Sequence, residues 1–169
     1  MYFKKVNADG TQDETKTTET SAGAGDAGKV PNLNPEGVID PSMLPADVRP
    51  KYREVTAGEA LTAGNMVYID PATGKAMKAD NAARASQVTG YVKDTVASDA
   101  AVKVYVDGIV TGLTGLTLNG KCYLGEAGAV TATPVGQTSG KLHQVVGTAL
   151  STTTMAFDPD EDCFMRASA

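Results

Sequence analysis

From Lys51 onward the apolar residues come in short runs, each closed within a few positions by glycine, proline or asparagine. That punctuation leaves no room for a long helix and favours strands joined by tight turns. Residues 65–70 (Asn-Met-Val-Tyr-Ile-Asp) read as a strand, Pro71-Ala72-Thr73-Gly74 as a turn, and 75–79 as the answering strand of a hairpin. In 101–107, Val102, Val104 and Val106 alternate with Ala101, Lys103, Tyr105 and Asp107, the two-residue period of a half-buried strand. Arg53-Glu54-Val55-Thr56 leads into this all-β pattern, and further strands are expected at 88–93, 109–112, 121–124, 130–133, 142–150, 153–158 and 163–166, with 81–86 as the one helical turn. Strands do not alternate with helices, which excludes a doubly wound α/β fold. With 18 glycines in the chain, the expectation is an all-β fold, a small β-barrel or sandwich.

Composition limits both the core and the partners. Apolar residues make up 41% of the 169, but aromatics only 5% and tryptophan is absent, so the core must be built mainly from Val, Ala, Leu, Ile and Met. The formal net charge of −5 and the lack of any Lys/Arg run argue against binding a phosphate backbone, so no nucleic-acid partner is expected. No apolar run approaches the ~18 residues of a membrane helix, and Met1-Tyr2-Phe3-Lys4-Lys5 lacks the apolar core of a secretory signal. The expectation is a soluble protein made in the cytoplasm, without a membrane partner. Cys122 and Cys163 are far apart in sequence and are expected as two buried thiols rather than a bridge.

The first 50 residues differ in kind. Residues 2–6 form a short expected strand ended by the turn Asn7-Ala8-Asp9-Gly10, and 11–28 read as a mobile Thr/Glu/Gly/Ala linker. Then Val30, Leu33, Val38, Ile39, Met43 and Leu44 recur in a stretch broken by Pro31, Pro35, Pro41 and Pro45. The prolines exclude a central strand or long helix. Such a strap needs another surface to bury its side chains, either its own domain or a neighbouring subunit. The expected division is an extended, mostly irregular N-terminal arm, 1–50, and a β-domain, 51–169.

Candidate chemistry is sparse. Gly23-Ala24-Gly25-Asp26-Ala27-Gly28-Lys29-Val30 fits Gly-x-Gly-x-x-Gly, but a phosphate cradle needs a buried strand before it and a helix after it. Polar, Thr-rich residues precede this loop and two prolines follow, so it reads as a flexible hinge. His143 is the only histidine and lies on an expected strand, opposite in facing to Leu142, Gln144 and Val146. Asp158, Asp160 and Asp162 imitate the start of a calcium loop, but Cys163 stands where its glycine belongs, leaving an acidic turn as the better reading. One histidine and two distant cysteines make a poor zinc set. No catalytic residue, metal ligand or cofactor is expected.

Two stretches resemble virion proteins of tailed bacteriophages. One is Gly28-Lys29-Val30-Pro31 followed by Gly37-Val38-Ile39-Asp40-Pro41-Ser42-Met43-Leu44-Pro45, similar to a linker of head fibres, capsid decoration proteins and tail fibres. The other is a β-module that runs through Thr56-Ala57-Gly58-Glu59-Ala60-Leu61, Val88-Thr89-Gly90-Tyr91-Val92, Gly108-Ile109-Val110-Thr111-Gly112, Lys121-Cys122-Tyr123-Leu124-Gly125 and Val145-Val146-Gly147-Thr148-Ala149. The resemblance implies a non-enzymatic homotrimer on the capsid surface of a virion. Its arm would dock on the major capsid protein through Val30, Leu33, Val38, Ile39, Met43 and Leu44, and its β-domain would project. A tail-fibre or receptor-binding module that touches the host surface is the alternative, and a phage hydrolase a distant third.

Overall fold

The computed structural model describes residues 2–82, 84–134, 140–160 and 163–165 of the 169. Two compact units divide the chain, Met1–Pro50 and Lys51–Ala169.

In the first unit, β1 (Tyr2–Val6) and β2 (Gln12–Thr18) form an antiparallel hairpin, and β3 (Val30–Pro31) pairs in parallel with the end of β2. The linker expected at 11–28 is thus corrected over its first half. β-Branched threonines suit an extended backbone, and Gly10, at φ 83°, closes the turn that folds β2 back on β1. The Asp9 carboxylate accepts from the Thr11 hydroxyl at 2.6 Å and from its N–H at 2.9 Å, which holds the Asp9 carboxyl below its ordinary value. Three one-turn 3-10 segments follow in this unit, Ala24–Asp26, Pro41–Met43 and Ala46–Val48. Together with Arg84–Ser86 in the second unit, they replace the single helical turn expected from the sequence. Proline at a first helical position, as at Pro41, presets one such turn without extending it.

The second unit is all-β. Its first sheet has the order β4-β8-β7-β5-β6, from β4 (Tyr52–Thr56), β5 (Met66–Ile69), β6 (Ala76–Lys78), β7 (Gly90–Val92) and β8 (Ala101–Tyr105). The second has the order β11-β10-β13-β14-β9, from β9 (Gly108–Val110), β10 (Lys121–Leu124), β11 (Val130–Thr131), β13 (Val145–Ala149) and β14 (Met155–Phe157). All pairings within these two sheets are antiparallel. A further pair joins β12 (Leu142–His143) to β15 (Phe164–Met165).

Two apolar clusters fill this unit. Val67, Val92, Val102 and Val104 line one face of the first sheet with Ala57, Leu61 and Ala76. Met66 and Tyr91, on the other face of the same sheet, join Val110, Cys122, Leu124, Val146, Met155 and Phe157 of the second. Alternation within β5 and β7 therefore serves two cores, one for each face. Tyr91 ties the sheets together: its ring lies 5.1 Å from that of Phe157, and its hydroxyl donates towards the carbonyls of Asp107 at 3.1 Å and Ile109 at 3.3 Å.

Two expectations need correction. Val106 does not share the buried face of Val102 and Val104 and is 49% exposed. The Val106 N–H still donates to the Lys51 carbonyl in register with the strand pair, but Gly108, at φ 110°, then turns the chain. The single strand expected at 142–150 is split at Gln144. That side chain is buried, its amide oxygen accepting from the Val88 N–H at 2.9 Å and its amide nitrogen donating to the Asp160 carbonyl at 3.3 Å.

Candidate docking surface

The arm owes its shape to turns and caps. Asn34-Pro35-Glu36-Gly37 has the residues of a type I turn, Asn first, Pro second and Gly last. Gly37, at φ 76°, donates its N–H to the Asn34 carbonyl at 2.9 Å. The Asn34 N–H donates to the Val38 carbonyl at 2.9 Å, and its side-chain oxygen accepts from the Val38 N–H at 3.0 Å. Leu33 and Ile39 therefore flank one reversal with Val38 between. Asp40 then caps the next turn by accepting from the Ser42 N–H at 2.8 Å, and Pro41 occupies its first position.

Longer-range ties lock these turns to one another. The Arg49 guanidinium donates to the Leu44 carbonyl at 2.7 Å and to the Ser42 carbonyl at 2.8 Å, and the Ser42 hydroxyl accepts from the Ser21 N–H at 2.8 Å. Upstream, the glycine loop is an ordered turn rather than an open hinge. Asp26 accepts from the Ala22 N–H and pairs with the Lys29 ammonium. The Lys29 contact first, and the Ala22 N–H second, hold the Asp26 carboxyl below its ordinary value. The loop thus supplies its own anion to its one lysine.

Outside residues 1–3, 5 and 15, no residue of the unit is buried. Of the six side chains singled out from the sequence, Leu33 is 53% exposed, Val38 54% and Ile39 48%, while Val30, Met43 and Leu44 are half-buried. Val48, 60% exposed, joins this apolar set and was not anticipated. Neither was Arg49, whose role as a tie has no local sequence signature. The Asp40-Pro41-Ser42 cap, by contrast, follows a recognisable pattern.

The other candidates resolve plainly. His143 is half-buried on the face opposite Leu142, Gln144 and Val146, which are all buried. Its ring stacks on Phe164 at 4.8 Å and meets the edge of Tyr123 at 5.0 Å. Its described contacts are these two rings. Asp158 and Asp160 are exposed, and Asp162 lies outside the described residues. Among the described residues no three His, Cys, Asp or Glu side chains gather as a metal site. Cys122 and Cys163 are both buried and free, and desolvation pushes the Cys122 thiol up. Among the described residues no helix is long and apolar enough to cross a membrane. No family model matches the chain, and neither does any curated protein.

Proposed function

We propose that the chain is a non-enzymatic structural protein of a tailed-phage virion, a trimeric capsid decoration or head-fibre protein. In this reading the first unit attaches to the major capsid protein and the second projects from the head. One observation carries it: outside residues 1–3, 5 and 15 no side chain of the first unit is buried, and Leu33, Val38, Ile39 and Val48 face solvent on a stretch shaped by proline, caps and Arg49. Isolated apolar side chains on a surface are ordinary, but several held in one ordered stretch of turns and caps suit a surface awaiting a partner. The Gly-Lys-Val-Pro and Gly-Val-Ile-Asp-Pro-Ser-Met-Leu-Pro resemblance includes Val38 and Ile39 of these and suggests the kind of lattice.

Gold-labelled antibody against the second unit, imaged on intact particles, tests the reading. Labels distributed over the head support it, and labels confined to the tail refute it. A second reading, a receptor-binding module, draws on the 54% exposed Phe164 ring stacked on His143, an aromatic platform on the outer surface. Binding of the purified protein to host cells, together with tail labelling, would favour that alternative.

A further inference from the structure

We infer that the second unit binds one ring of a neutral sugar, in the cleft between residues 87–89, which lead into β7, and Pro159-Asp160, which follow β14. The cleft holds about 310 Å³ and is lined by Gln87, Val88, Thr89, Gln144, Pro159 and Asp160. Small-molecule sites start at about 300 Å³, so this one has room for a single small ring. Three other hollows among the described residues hold about 90, 160 and 150 Å³ and fall below that range.

The break in the strand at Gln144 builds the floor. Gln144 is 3% exposed and Val88 6%. Gln144 Oε1 accepts from the Val88 N–H at 2.9 Å and Gln144 Nε2 donates to the Asp160 carbonyl at 3.3 Å, so one amide bridges the two walls. Backbone bonds brace the far wall: the Asp160 N–H donates to the Val145 carbonyl at 2.9 Å and the Asp158 N–H to the Val146 carbonyl at 3.1 Å. On the near wall the Thr89 N–H donates to the Val67 carbonyl at 2.9 Å. The Gln87 amide nitrogen donates to the Cys163 sulfur, which aims the Gln87 oxygen away from that thiol. Gln87 and Pro159 are half-buried, while Thr89 and Asp160 form an exposed rim. This frame is in place before a ligand arrives, so binding loses little to reorganisation.

The lining selects the ligand. Its one ionised group is the Asp160 carboxylate at the mouth, with no Lys or Arg among the lining residues, so phosphates and carboxylates are repelled. One carboxylate is too few for a divalent cation, which takes several oxygen ligands. Val88 and Pro159 are the only apolar lining residues, too few to hold a hydrocarbon. A primary amide carries two N–H donors and two acceptor sites. Among the described residues the Gln144 amide uses one of each, towards Asp160 and Val88. Two such amides, a hydroxyl and a carboxylate around one small cleft match a ligand that also carries donors and acceptors side by side, as the vicinal hydroxyls of a sugar do. An ammonium ion, a donor only, would leave the second Gln144 N–H without an acceptor. The Pro159 ring adds an apolar surface for the C–H face of the sugar.

The test is an amide NMR titration of the full chain with glucose, galactose and mannose, run beside methylammonium, acetamide and inorganic phosphate. At least one of the sugars should shift the Gln87, Val88, Thr89 and Asp160 amides saturably, with a dissociation constant on the order of 1 mM. Thr89→Ala and Asp160→Ala change only exposed rim side chains. Each should weaken that binding about threefold to tenfold, the worth of one hydrogen bond, while amide shifts away from the cleft stay native. The proposal is overturned if none of the three sugars gives saturable shifts at these amides by about 50 mM. It is also overturned if methylammonium, acetamide or phosphate binds there more tightly than the sugars, or if both rim variants bind as wild type does. None of these outcomes bears on attachment to a capsid, which the titration does not involve.

Discussion

Leu33, Val38 and Ile39 give the arm its sharpest test. Complete burial of a large aliphatic side chain is worth about 1.5–3 kcal/mol. At 53%, 54% and 48% exposure, each already has about half its surface covered, leaving roughly 0.8–1.5 kcal/mol for a partner to collect. Replacing all three by serine should therefore weaken docking by about 2–4.5 kcal/mol per chain, roughly 30-fold to 2000-fold in the dissociation constant. Folding should scarcely notice, because surface substitutions of this sort stay within about 0.5 kcal/mol. The assay is rebinding of purified protein to heads that lack it, titrated to saturation, alongside thermal melts of wild type and variant. Rebinding within threefold of wild type would refute the docking role. A fall in Tm of more than about 5 °C would show instead that these side chains are packed within their own fold.

Other outcomes follow from the second unit. A Cβ built on Gly147 would lie 2.0 Å from the Ala156 carbonyl oxygen, so Gly147→Ala should destabilise by about 3 kcal/mol, read as a lower denaturant midpoint. Gly112→Ala, with open space around it but a φ of 77°, should lose about 1 kcal/mol. Tyr91→Phe leaves the Asp107 and Ile109 carbonyls without their donor and should lose about 1–3 kcal/mol in the same assay. Burial first, then the Asp107 charge and Tyr105, raise the Tyr91 phenol above 10.0. The unfolded phenol thus ionises first, wild-type stability falls as pH climbs past 10, and Tyr91→Phe should flatten that decline. At the acid end, the Thr73 hydroxyl and Ala72 N–H hold the Asp70 carboxyl below 3.8. Its contribution is present above that value and disappears as pH falls through the lower folded one; an NMR titration in which Asp70 titrates at or above 3.8 would contradict the contact.

How much of this was legible depended on how local the cause was. Most strands of the second unit followed from short apolar runs and turn residues, because Pro71-Ala72-Thr73-Gly74 and similar stretches fix reversals by themselves. The break at Gln144 was not legible, since it follows from partners at Val88 and Asp160, distant in sequence. Val106 looked buried because alternation carries no information about where a strand stops. Residues 12–18 looked unstructured because their sequence is polar and Thr-rich; only the hairpin register with β1 makes them a strand. In the arm, the six apolar residues were readable from their recurrence between prolines, and three of them are exposed. Arg49 was silent, because a guanidinium reaching carbonyls five and seven residues back leaves no periodic trace.

The exposure of the stretch from Val30 to Val48 is consistent with its order once the prolines are considered. Pro31, Pro35, Pro41 and Pro45 each fix φ near −65°, so the unfolded strap has fewer conformations to surrender. The Asn34 turn, the Asp40 cap and the Arg49 tie then hold the remaining freedom with hydrogen bonds worth about 1 kcal/mol each, too few to build a stable domain but enough to keep one surface presented. Docking such a preorganised strap loses little entropy, so most of the apolar gain would appear as affinity. Even so, a few kcal/mol per chain is a weak hold for one copy. Linkage of several copies in the proposed trimer would turn the second and third dockings into intramolecular steps, multiplying attachment without any new contact to the lattice. On the proposed reading, an arm with so modest an apolar surface would hold weakly as a single copy and firmly only as one of several.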